Sequence, residues 1–264
     1  MAVFPRIALL LAAVALAGGS SSAAVAPQAR VVALPLPGGA VQRILVSLPA
    51  TMRGMVVMLP GGAGDIGLTK DGAIRHGDNF VVRTRGRWNA RGYGVLIPDT
   101  IDGQNLRGVR RSPAYAQLID RLVALAHRQG PGPVFLLGTS QGSIAAMNGA
   151  AHAAPGSIAG VVLTESVSVM GGSHETVFDA DPQDVRVPAL VVANRDDSCK
   201  VAPPDHAPRI AAAMTHSPDA TMLSVSGGVT RSDNDCGSLT PHGYYGIEDK
   251  VVDAIARWMD GHSG

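Results

Sequence analysis

Gly138-Thr139-Ser140-Gln141-Gly142 sets a serine between two glycines, a pattern that can hold a hydroxyl out for attack on a carbonyl carbon. With 32 glycines in 264 residues, the five letters alone are weak evidence. Their surroundings say more. Val134 to Leu137 is an apolar, strand-like run, and Ser143 to Ala151 is a helical stretch of small residues. A chain that turns sharply from strand into helix needs glycine at 138 and 142, because side chains there would block the bend and the packing of the helix. Such a turn predicts Ser140 as a nucleophile at the sheet edge. The N–H of Gln141, at the start of the helix, would then face an oxyanion forming on the substrate.

Short apolar runs that alternate with helical patterns supply the elements to carry this turn. RVVALPL and QRILVSL flank Pro37-Gly38-Gly39 and predict an opening antiparallel pair. Six further runs begin at Gly54, Gly94, Val134, Ile158, Ala189 and Ala220, and are apolar almost throughout, as strands of a sheet buried on both faces should be. Helices are expected over Asn79 to Ala90, Pro113 to Arg128, Gly142 to Ala153, Asp205 to His216 and Ile247 to Met259. Strand alternating with helix predicts an α/β protein, a doubly wound sheet with chemistry beyond the carboxyl ends of its strands. Three acids fall at such ends: Glu165 after the sixth run, and Asp196 and Asp197 after the seventh.

GTSQG, together with LPGGAG, NRDDSCKVAPP and PHGYYGIEDKVVDAIARW, resembles the α/β-hydrolase fold family, and within it small exported bacterial hydrolases. The likeness spans nearly the whole chain after the first residues, although only the serine turn is diagnostic. It implies a mostly parallel eight-stranded sheet flanked by helices on both faces. It also implies a serine, acid and histidine in that chain order. The acid then is Asp197, in the loop after the seventh strand, with Asp196 as near rival and Glu165 as a more distant one. The base is His242, in the loop after the last strand. The loop after the third strand would supply the second oxyanion amide, from Gly62 with Ala63 as its neighbour, although Pro60 stands where the family often has histidine.

Other signals bound the biology. An apolar stretch from Ile7 to Ala17 followed by Ala24-Val25-Ala26 predicts a cleaved export signal over residues 1–26 and one hydrolase domain over 27–264. The periplasm or the exterior is then the expected location, without stable membrane insertion. Two cysteines, Cys199 and Cys236, predict one disulfide in such a compartment, tying the acid loop to the base loop. A net charge of +1 argues against nucleic acid as partner. No zincin helix, paired Cys-x-x-Cys or dinucleotide loop occurs, so no metal or organic cofactor is expected.

Ala189 follows Thr164 at an offset of 25 positions, too little chain for a helical cap, which predicts an open pocket for a small soluble ester or acyl compound. Arg107, Arg110 and Arg111 are placed near the rim, more as a solvated basic loop than as a carboxylate grip. A peptidase or an acyltransferase would use the same three residues, and a catalytically dead binding module would be expected to lose one of them.

Overall fold

The computed structural model describes Met1 and residues 28–263, so the expected export signal lies outside the described residues. Eight strands form one sheet: β1 (Gln28–Pro35), β2 (Val41–Leu48), β3 (Gly54–Leu59), β4 (Tyr93–Ile101), β5 (Val134–Thr139), β6 (Gly160–Thr164), β7 (Ala189–Asn194) and β8 (Ala220–Val225). Their spatial order is β1-β2-β4-β3-β5-β6-β7-β8. The pairs β1–β2 and β2–β4 are antiparallel, and all pairs from β4–β3 onward are parallel. The expected antiparallel opening is present, with a 3-10 turn at Pro37–Gly39 joining its strands.

Alternate residues of the central strands enter opposite cores, as the two-residue period of a strand requires. Met55, Val57 and Leu59 join Val134 and Leu136 on one face, while Val56 and Met58 join Phe135 and Leu137 on the other. Helices α3 (Pro113–His127), α4 (Gln141–Ala151) and α5 (Ala207–Ala213) cover the first face. The second is covered by α1 (Phe80–Arg83), α2 (Arg85–Ala90) and α6 (Glu248–Gly261), the last through Val251, Val252, Ile255 and Met259 at helical spacing. Ser112 starts α3 by accepting from the N–H of Tyr115 at 3.2 Å, with Pro113 in the first turn, where its missing N–H costs nothing.

The single helix expected over Asn79 to Ala90 is instead two short pieces broken at Thr84, whose backbone sits at φ −91°, ψ −3°. Its hydroxyl donates to the Phe80 carbonyl and accepts from the indole of the fully buried Trp88, so side-chain bonding competes with the regular helix. Between β6 and β7 the chain forms only two 3-10 turns, Val177–Asp179 and Pro182–Asp184, and no cap domain covers the carboxyl edge. No helix among the described residues is long and apolar enough to cross a membrane.

The junction of β5 and α4 is packed backbone against backbone. A Cβ placed on Gly142 would lie 2.1 Å from the Leu59 carbonyl oxygen, and one on Gly138 would lie 2.2 Å from the Gly142 oxygen. Both obstacles are backbone and cannot swing aside. Gly142→Ala should therefore cost about 3 kcal/mol, the upper range for overpacking, seen as a lower urea midpoint. An unchanged midpoint would mean that α4 does not press on β3 in this way.

Candidate active site

Ser140 is the N-cap of α4 and holds φ 51°, ψ −122°. A residue with a Cβ rarely adopts positive φ, and such backbone strain is concentrated at functional sites. Neighbouring strands and the helix fix the conformation. The Ser140 N–H donates to the Thr164 carbonyl at 2.9 Å, and its own carbonyl accepts from the Ser143 hydroxyl at 2.6 Å. The turn leaves Ser140 half-buried, in the wall of a cleft of about 400 Å³ that also contains Gly61, Gly62, Ala63 and His242. The N–H groups of Gly62 and Gln141 have no acceptor among the described residues. Gly62 itself takes φ 57°, a conformation open to glycine at little cost.

His242 sits in a 3-10 turn, Pro241–Gly243, capped by the Thr240 hydroxyl, which accepts from the His242 N–H at 3.1 Å. Its ring is buried, and Nδ1 lies 2.7 Å from Oδ2 of Asp197. Asp197 is also buried, and its Oδ1 accepts from the Cys199 N–H at 2.8 Å. Oδ2 is thereby free for the imidazole. Nε2 of His242 is buried and has no partner among the described residues. A ring fixed at Nδ1 by a carboxylate and open at Nε2 can accept a proton there.

The structure separates the three acids considered from sequence. Asp196 points away and is exposed, its Oδ2 accepting from the Gly227 N–H at 2.6 Å in a turn. Glu165 is buried behind Asp197, with an oxygen of each carboxyl and a ring nitrogen of His242 within 4.8 Å of one another. Burial pushes the Glu165 carboxyl well above the usual carboxylate range, and the neighbouring Asp197 charge adds to the shift.

Asn194, fully buried at the end of β7, was not singled out in the sequence, yet it joins the loop of Asp197 to the loop of His242. Its carbonyl accepts from the Asp197 N–H at 3.0 Å, and its Nδ2 donates to the carbonyls of Gly227 at 2.8 Å and Pro241 at 3.0 Å. Cys199 and Cys236 form a disulfide that links the same two loops covalently, with Cys236 in the cleft wall. The remaining histidines do other work, such as His262 against Trp258 with ring centroids 4.4 Å apart. His76 lines the cleft as well, together with Arg75, Asp78 and Asn79.

The three arginines expected near the rim divide. Arg107 lines the cleft beside Gly62 and Arg111 is exposed, but Arg110 is buried, contrary to the expectation of a solvated loop. Its Nη2 donates to the Pro60 carbonyl at 3.3 Å, beneath the glycine loop. Buried Glu175, whose carboxylate accepts from the N–H groups of Gly108 and Arg111, places an opposite charge in the neighbourhood of Arg110. A charge letter in a polar loop carries no sign of such burial.

No family model matches the chain, and no curated protein matches its sequence. Solved structures do. Est1E from Butyrivibrio proteoclasticus superposes with a TM-score of 0.60 at 12% identity, covering 88% of this chain and 98% of its own. A dienelactone hydrolase from Anabaena variabilis gives 0.59 at 15%, covering 90% and 99%. An esterase from Pyrococcus furiosus gives 0.64 at 10%, covering 90% and 92%. With its eight-stranded, mostly parallel sheet and its helices on both faces, the chain has the α/β-hydrolase fold.

Proposed function

We propose that this protein is a serine hydrolase that cleaves an ester of a small soluble compound through an acyl-enzyme. The observation that carries the reading is a strained serine sharing a cleft with a histidine whose Nδ1 is bonded to a buried carboxylate and whose Nε2 has no partner among the described residues. Names of the structural neighbours, esterases and a dienelactone hydrolase, agree with hydrolysis of small molecules. In the proposed cycle His242 takes the proton of Ser140, and the oxygen attacks the carbonyl carbon. The amides of Gln141 and Gly62 hold the resulting oxyanion, and Asp197 stabilises the imidazolium. The imidazolium then protonates the leaving alcohol. Water, activated by the same ring, releases the acid.

An open, uncapped cleft lined by polar residues suits a soluble substrate better than a lipid. Export as one domain over 27–264 after removal of residues 1–26 belongs to the same proposal. The Ala24-Val25-Ala26 sequence supports it, and so does a disulfide, which persists in oxidising compartments.

Ser140→Ala and His242→Ala should each lower kcat on p-nitrophenyl acetate by about 10⁴-fold or more, and fluorophosphonate should label wild type but not Ser140→Ala. Wild type that neither turns over the ester nor takes the label would sink the proposal. Asp197→Asn should lose about 10⁴-fold in kcat while Asp196→Asn stays near wild type. The reverse order would move the acid to Asp196.

Replacing both cysteines by serine releases a loop with a separation of 37 residues. Chain entropy then predicts a loss of about 3–4 kcal/mol in denaturant titration. Activity should fall as well, because the two loops that carry acid and base lose their covalent tie.

A further inference from the structure

Beside the proposed acid and base lies a buried carboxyl that the mechanism does not use. Glu165 follows β6 directly and takes φ 43°, a left-handed conformation that costs energy in a residue with a side chain. Its N–H donates to the Val192 carbonyl at 3.1 Å, and its Oε1 accepts from the Asn194 N–H at 2.9 Å. Oε2 is buried, with no partner among the described residues under ordinary hydrogen-bond geometry. The ionisable groups around it are Asp197 and His242 from the acid and base loops and the buried Tyr244 phenol, which donates to the Val192 carbonyl at 3.1 Å. None is a permanent cation. Two carboxylates buried so close to one another cannot both stay ionised at modest cost. Asp197 is the one that faces the imidazole.

We propose, resting on the hydrolase reading, that Glu165 is a positioning residue held as a neutral carboxylic acid, so that the buried pair carries one negative charge and that charge stays on Asp197. An undissociated acid has a donor and an acceptor. The acceptor oxygen serves Asn194, which ties the acid loop to the base loop, and the O–H is left for the side of Asp197 that the imidazole does not use. Glutamine has the same two functions at the same length. Alanine has neither.

The test compares wild type, Glu165→Gln and Glu165→Ala by two readouts. The first is stability against pH, measured as the unfolding constant in urea from pH 5 to 9. An acid whose folded pKa lies above its unfolded value, about 4.3, contributes stability fully below that value and loses it as pH rises toward the folded pKa. Wild type should thus weaken relative to Glu165→Gln by up to about tenfold in unfolding constant per pH unit over this window. A ratio that stays flat with pH overturns the proposal. This comparison needs no activity, so it decides the protonation state even if the hydrolase reading fails or Glu165→Ala does not fold.

The second readout is p-nitrophenyl acetate hydrolysis at pH 7.5. Glu165→Gln should keep kcat within about threefold of wild type. Glu165→Ala should lose tenfold or more in kcat at unchanged KM. A loss in Glu165→Gln as deep as in Asp197→Asn would show that Glu165 works as an anion and would overturn the proposal. Silence of the wild type toward ester and fluorophosphonate would instead refute the hydrolase reading alone.

Discussion

The site depends on a backbone conformation that Ser140 cannot hold by itself. A residue at φ 51°, ψ −122° stores roughly 1–3 kcal/mol, and the chain around it must oppose relaxation. It does so with packing that admits no side chain: Gly142 lies directly against the Leu59 carbonyl, and Gly138 against the carbonyl of Gly142. Helix α4, rich in small residues and buried along nearly its whole length, is thereby pressed between β5 and β3. The serine can relax only if the helix lifts off the sheet, which would uncover Ile144, Ala145 and Met147. The hydrophobic core thus maintains the local strain, and the strain keeps the hydroxyl in the cleft.

A second requirement is that two loops, 45 residues apart in the chain, meet to within a hydrogen bond. Loops are mobile unless something anchors them. Here Asn194 receives the acid turn on its carbonyl and holds the base loop with its side-chain amide, and the Cys199–Cys236 disulfide closes the same gap covalently. Burial makes these bonds consequential: in a dry site an unpaired amide or carboxylate costs far more than at the surface. Buried Glu165 belongs to this network through the Asn194 N–H.

The loop after β3 is supported differently. Its glycines leave the backbone amides accessible, and the Arg110 guanidinium props it from below through the Pro60 carbonyl. Buried Glu175 places an opposite charge in the neighbourhood of that cation. With only two short turns between β6 and β7, no described residue forms a cap over the cleft, and its polar wall remains open.

Sequence alone determined most of the elements and the fold class. The long apolar runs, the helical spacing and the glycines around Ser140 depend on local sterics and on period, so the strand order along the chain, the elbow and the absence of room for a cap could be read directly. The helix break at Thr84 could not, because a side-chain hydrogen bond to Phe80 and the burial of Trp88 override helical propensity there. Nor could the choice between Asp196 and Asp197, which are neighbours of identical chemistry. The direction each side chain takes is set by contacts with Gly227 and His242, far away in sequence. The same holds for the burial of Arg110 and Glu165 and for the central place of Asn194. Whether a charged or amide side chain faces water or the core is decided by what the fold packs over it, and no local pattern encodes that cover.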